Sequence, residues 1–334
     1  MGSLPHVVED CLGFLQLYSD GSILRSDGMD FNVSLVEDNS VLFKDCLFHK
    51  RFNLYLRVFK PKSSSGKLPL IMFIHGGGFC FGSHAWPHLH NCCVRMASEL
   101  QAVVVAPDYR LAPEHRLPAA VDDAVEAVRW VQRQALSKDV VDSGGDAWLN
   151  GEVDFDRVFI VGDSSGGNIA HHLAVRLGSG SLVMDPVRVR GYVLLAPFFG
   201  GEVRTKSEES AREKMLSLDL LDRFWRLSVP VGENRDYPMA NPFGPESPNL
   251  EQVKLDPIMV IVGSNELLKD RAYDYARRLK ELGKKIEYIE FEGREHGFFT
   301  QDPYSQVAGE VMQILKQFLL ENSGSKEMTC VLYI

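Results

Sequence analysis

Three short segments carry side chains that could share one nucleophilic reaction. Gly162-Asp163-Ser164-Ser165-Gly166 sets a serine between two glycines. The apolar run Val158, Phe159, Ile160, Val161 precedes it, and Gly167-Asn168-Ile169-Ala170-His171 follows like the opening of a helix. A strand, a sharp turn and a helix expose a serine hydroxyl on a strained backbone, and flanking glycines keep Cβ atoms from colliding there. The helix N-terminus beneath favours developing negative charge. Ser164 is therefore the expected nucleophile. His75-Gly76-Gly77-Gly78-Phe79 follows another apolar run. Its glycines leave backbone N–H groups unshielded, so Gly77 and Gly78, with Ser165, are the expected donors to an oxyanion. No Lys-Ser/Thr follows and no G-x-G-x-x-G stands at this strand end, which excludes the familiar phosphate-binding loops.

The third segment is Glu295-His296-Gly297-Phe298-Phe299. Among ten histidines, His296 alone sits late in the chain between a strand and the last helix, where the base for an elbow serine belongs. His171 and His172 fall inside the elbow helix and are expected to be structural; His75 is expected to orient the glycine loop. Two acids compete to support His296. Glu266 lies close to the end of an apolar strand, where a loop side chain can reach an imidazole. Asp270 is expected to begin the next helix, where its charge suits the N-terminus. Position favours Glu266. Ser164, His296 and Glu266 together would perform acyl transfer: attack on an ester carbonyl, an acyl-enzyme, then hydrolysis by water. That chemistry needs no metal or organic cofactor, and none is expected.

A parallel sheet has to present these loops. Residues 70–75, 102–107, 158–162, 191–197 and 258–263 are continuous apolar runs, as strands buried on both faces require, and 285–291 reads as one more. Helical patterns cover 88–100, 117–134, 165–177, 269–283 and 304–320. Alternation of strand and helix predicts a doubly wound, mostly parallel α/β sheet with helices on both faces. Residues 41–48 and 54–60 alternate apolar and polar about a His49-Lys50-Arg51 turn and read as an antiparallel hairpin. Two stretches break the alternation. Residues 1–40 hold an apolar cluster, Leu12, Phe14, Leu15 and Leu17, without a clear strand, and are read as an N-terminal cap or lid. Residues of about 200–250 start polar, turn helical at 218–227, and are read as a cap insertion in a core of 41–334.

The 334 residues carry a net charge of −9, which argues against broad contact with nucleic acid or anionic membrane. No run of about 18 apolar residues suggests a membrane span. The first residues resemble no secretory signal, and His6 stands where a myristoylation motif needs Ser or Thr. Cys11, Cys46, Cys80, Cys92, Cys93 and Cys330 show no zinc spacing, so reduced thiols in the cytoplasm, with the nucleus as a second location, are expected. The oligomeric state is not legible.

The glycine-loop segment, Tyr109-Arg110-Leu111-Ala112-Pro113-Glu114-His115 and the elbow segment resemble the hormone-sensitive-lipase-like family, in its plant carboxylesterase branch. The resemblance covers essentially the whole chain and implies an α/β-hydrolase fold with a helical cap, and a Ser–Asp–His esterase whose acid opens an Asp-x-Leu-x-Asp-Arg segment. Here that segment reads Glu266-Leu267-Leu268-Lys269-Asp270-Arg271, with Glu in place of the first Asp. Val8-Glu9-Asp10-Cys11, Phe79-Cys80-Phe81-Gly82-Ser83, Ser217-Leu218-Asp219-Leu220-Leu221-Asp222 and Met239-Ala240-Asn241-Pro242-Phe243-Gly244-Pro245 are similar to the plant carboxylesterases that degrade strigolactones. That likeness implies a small, apolar butenolide ester as substrate, split into a tricyclic lactone fragment and a hydroxybutenolide. Phe79, Phe81, Trp86, Phe198, Phe199, Phe224, Trp225 and Phe298 are the aromatic candidates for the substrate pocket. The rival readings are a generalist esterase, a dehydratase or cyclase on the same scaffold, and a hormone-binding protein without turnover.

Overall fold

The computed structural model describes residues 4–26, 33–36, 38–137, 146–210 and 216–324; Cys330 lies outside them. The continuous apolar runs form a parallel sheet because their side chains point into helices on both faces. In chain order the large sheet contains β4 (Val41–His49), β5 (Leu54–Pro61), β6 (Leu68–Ile74), β7 (Val103–Pro107), β8 (Val153–Asp163), β9 (Val189–Leu195), β10 (Ile258–Gly263) and β11 (Ile286–Phe291). Their spatial order is β11-β10-β9-β8-β6-β7-β5-β4. The six strands from β11 to β7 run parallel. The alternating hairpin β4–β5 joins antiparallel at one edge.

Five helices follow the 3.6-residue pattern: α1 (Pro87–Leu100), α2 (Ala119–Leu136), α3 (Ser165–Gly178), α6 (Lys269–Glu281) and α7 (Gln306–Asn322). α1 packs against α7, and α2 packs against α3. Gly76–Gly78, Ser164, Glu266 and His296 follow β6, β8, β10 and β11, so the carboxyl ends of four strands supply the site. Ligands of open α/β sheets bind at that edge.

The N-terminal segment departs from expectation. It forms a three-stranded antiparallel sheet, β1 (Val7–Cys11), β2 (Leu15–Tyr18) and β3 (Ile23–Arg25). Leu12 and Gly13 both have positive φ, 57° and 73°. Phe14 N–H closes their turn on Cys11 O at 3.0 Å. This is the mirror-image turn that matches strand twist, built here without the usual Asn-Gly or Asp-Gly. The small sheet rests on α5 (Leu218–Ser228). Arg226 grips Glu9 through two bonds of 3.0 Å, and Arg223 donates to Asp10 O at 3.0 Å. Arg25 donates to Cys80 O and Ala112 O and pairs with both oxygens of Glu114. The 200–250 region also holds the short α4 (Lys206–Ser210). Ser217 caps α5 by accepting from Leu220 N–H, and Leu220, Leu221, Phe224 and Trp225 form its buried face. Among the described residues, no helix is long and apolar enough to cross a membrane.

Candidate active site

Ser164 is the hinge between β8 and α3. Its φ of 52° and ψ of −113° lie where non-glycine residues rarely sit. Such a conformation costs about 1–3 kcal/mol and persists only when the surroundings hold it. They do: Ser164 N–H donates to Leu195 O at 2.8 Å, and Ser164 O accepts from Phe198 N–H at 2.9 Å. The turn is tight enough that a Cβ on Gly166 would stand 2.0 Å from Ile74 O, so only glycine lets α3 start against β6.

The strained turn aims Ser164 Oγ at His296 Nε2, 3.0 Å away. On the other side of the ring, His296 Nδ1 lies 3.6 Å from Glu266 Oε2. Glu266 is 1% exposed. Asp270 points elsewhere: in the first turn of α6 it accepts from Ser207 N–H at 2.8 Å and ties α6 to α4. The structure thus brings Glu266, not Asp270, to the imidazole. A carboxylate there favours the tautomer whose Nε2 can take the serine proton, and it stabilises the imidazolium that results.

The glycine loop runs directly beside the serine. A Cβ placed on Gly76 would be 3.1 Å from Ser164 Cβ. Gly77 has φ of 115°, and a Cβ there would strike Phe81 O at 2.0 Å. Among the described residues, the N–H groups of Gly77, Gly78 and Ser165 donate to no protein acceptor. These groups are therefore available to an oxyanion bound beside Ser164. Two further histidines have settled partners: His171 Nδ1 meets Tyr275 OH at 3.0 Å, and His172 Nε2 meets Met239 O at 3.1 Å.

Above the serine is a cavity of about 80 Å³. Phe81, Trp86, Phe198 and Phe224 line it, with Leu12 and Phe14 from the small sheet and Leu216 and Leu220 from the 200–250 region. Among the described residues, its lining contains no Lys or Arg. The other four aromatic candidates do not line it. Phe79 is turned into the core against Phe198 and Trp225. Trp225 lies behind the wall, stacked on Phe198 at 4.2 Å, because one residue along α5 rotates the side chain by about 100° from Phe224. Phe199 packs on Tyr275 at 4.7 Å and borders a separate polar cavity. Phe298 packs on Phe291 at the end of β11.

Beyond Ser164 and His296, the polar members of the lining do not stand out in the sequence. Asp163, beside the nucleophile, accepts from Thr300 Oγ1 at 3.2 Å. Burial raises its carboxyl to a pKa of about 6. Burial pushes His88 down to about 4, so it enters the cavity neutral at pH 7. Adjacency to Ser164, His296 and Trp86 was the available signal for Asp163, Thr300 and His88.

Comparison with known proteins places this geometry. A family model described as the alpha/beta hydrolase fold matches residues 71–300. Carboxylesterase 20 of Arabidopsis thaliana is 34% identical over 319 residues, covering 90% of this chain and 94% of that protein. A gibberellin receptor of Oryza sativa subsp. japonica is 38% identical over 76% of this chain and 67% of its own length. Among solved structures, an esterase of Pyrobaculum calidifontis superposes with a TM-score of 0.70 at 27% identity, over 88% of each chain.

Proposed function

We propose, from the premise that this chain belongs to the plant carboxylesterases of the α/β-hydrolase fold and is a carboxylic ester hydrolase, that its substrate is a neutral butenolide ester of the strigolactone class. The observation that carries the reading is the cavity over Ser164: largely apolar, aromatic, and, among the described residues, without a Lys or Arg to hold an anionic substrate. A carboxylate-bearing hormone would there meet the acidic group of Asp163, with no cation in the lining among the described residues to compensate. Three of the four segments that resemble strigolactone-degrading enzymes reach this cavity or end directly before a residue of its lining; the fourth, residues 239–245, borders the separate polar cavity. Phe81, Gly82 and Leu220 belong to them, and Leu12 directly follows one.

In the proposed reaction His296 Nε2 takes the Ser164 proton as Oγ attacks the ester carbonyl. The carbonyl oxygen, now negative, receives the N–H groups of Gly77, Gly78 and Ser165. His296 returns the proton to the departing alcohol, and the same imidazole then activates water against the acyl-enzyme. Glu266 stabilises the imidazolium in both halves. A cavity of about 80 Å³ is smaller than the several hundred Å³ usual for ligand sites, so a bulky ester requires the Leu12–Phe14 turn to lift.

Product analysis after incubation with a strigolactone tests the substrate. The expected result is equimolar tricyclic lactone fragment and hydroxybutenolide, absent with Ser164→Ala. Binding without turnover would favour a receptor-like role. Loss of water from a hydroxylated substrate without ester cleavage would favour a dehydratase, and turnover confined to simple nitrophenyl esters a generalist esterase.

A further inference from the structure

The oxyanion donors come from two separate elements. Gly77 and Gly78 follow β6, whereas Ser165 opens α3. Donors that must converge on one oxygen need a common support, because a misdirected N–H contributes little to a charge developing elsewhere. Tyr109, in the Tyr109–His115 run after β7, touches both elements. Its hydroxyl lies 3.0 Å from His75 O, 3.4 Å from Gly76 O and 3.2 Å from Ser165 Oγ.

The direction of these bonds follows from the chemistry of the groups. Carbonyl oxygens only accept, so the single phenol proton goes to the His75–Gly76 side, and Ser165 Oγ–H donates to the phenol oxygen. Burial raises the Tyr109 pKa well above its ordinary value, so the phenol keeps its proton across the working pH range. The ring is fixed as well. It stacks on His75 at 4.3 Å with 13° between planes. The backbone after it is held by Arg110, whose N–H and guanidinium both donate to the buried Asp123. Because the peptide unit is planar, holding His75 O sets the Gly76 N–H, and holding Gly76 O sets the Gly77 N–H. His75 Nδ1–H, 2.7 Å from Gly76 O, secures the second of these.

We propose that Tyr109 is a positioning residue for ester hydrolysis: its hydroxyl ties the His75–Gly76 backbone to the Ser165 side chain and keeps the two halves of the oxyanion hole in register. The proposal rests on the reading that the Gly77, Gly78 and Ser165 N–H groups bind the oxyanion. Tyr109→Phe keeps the stacked ring and removes only the bridge. Its kcat should fall about tenfold, less than the 10²–10³ that follows outright loss of one donor, with KM changed by less than about twofold. The affinity for a trifluoromethyl ketone, which forms a tetrahedral adduct on serine, should fall by the same factor as kcat. Ser165→Ala cuts the bridge at its other end and should show the same split, and the double variant should lose no more than either single one.

A wild-type kcat in Tyr109→Phe, a loss confined to KM, an unchanged affinity for the ketone, or losses that multiply in the double variant would each overturn the role of Tyr109. If Tyr109→Phe fails to fold, Ser165→Ala carries the same test alone. The underlying reading fails separately: in that case the wild-type protein itself would bind the trifluoromethyl ketone no more tightly than its methyl ketone analogue.

Discussion

Replacing Glu266 with Gln keeps the shape of the side chain and removes its charge. In the transition state the carboxylate faces an imidazolium whose Nδ1 is 3.6 Å away. At an effective dielectric of about 20, Coulomb's law gives that pair about 4.6 kcal/mol, or somewhat over 10³ in rate. The amide can also hold the wrong imidazole tautomer, and the analogous Asp→Asn change in a serine protease costs about 10⁴. The expected loss in kcat is therefore about 10³–10⁴, with little change in KM. Glu266→Asp retracts the charge by roughly one bond, about 1.5 Å, which weakens the pair by about 1.4 kcal/mol and predicts a loss near tenfold. Asp270→Asn should change kcat by less than about threefold, since Asp270 caps the contact between α6 and α4. Steady-state kinetics on a chromogenic ester, with circular dichroism as a check on folding, measures all three. If Asp270→Asn proved the damaging change, or Glu266→Gln lost less than tenfold, the acid would be misassigned.

Ser164→Gly should be more stable than Ser164→Ala by about 1 kcal/mol in urea titration, reversing the usual advantage of Ala, because only glycine relaxes at φ 52°; equal stabilities would mean that the elbow is unstrained. Acidification from pH 6 toward pH 4 should destabilise the fold. His88 and His172 are held near pKa 4, so each binds a proton only on unfolding in this window, whereas Asp163, held near 6, gives one up. His90, also held near 4, acts in the same direction as the other two histidines, so these four groups leave the unfolded chain binding a net two protons more (three histidines against one carboxyl), worth about 2.7 kcal/mol lost per pH unit near pH 5. A flat or rising Tm over that range would refute the balance. Leu12→Ala should raise kcat/KM several-fold for a bulky ester and leave nitrophenyl acetate unchanged, since Leu12 roofs the cavity yet is 58% exposed; equal effects on both esters would argue that the turn does not gate entry.

The parts of this molecule legible in its sequence are those fixed by local pattern. A strand buried on both faces has to be apolar throughout, so the runs ending at Ile74, Val161 and Val262 stood out. The serine followed from its place between such a run and a helix. Glu266 was separable from Asp270 because a loop side chain near a strand end and a helix-capping side chain differ in position by a single turn. The N-terminal sheet was not legible. Its strands are only three to five residues long, and Leu12-Gly13 is an unusual pair for a mirror-image turn. Nor did sequence give azimuth. Phe224 and Trp225 are neighbours, yet one faces the cavity and the other the core. Leu216 and Leu220 could be read as buried, but not as bordering a cavity rather than packed side chains.

The central claim is that one serine, Ser164, carries the acyl group. Intact-mass analysis after treatment with an organophosphate tests it most directly. The account predicts a single adduct on the wild-type protein, located by peptide mapping at Ser164, loss of ester hydrolysis in proportion to labelling, and neither adduct nor turnover in Ser164→Ala. An adduct at another residue that abolishes activity, or ester hydrolysis that survives in Ser164→Ala, would contradict it.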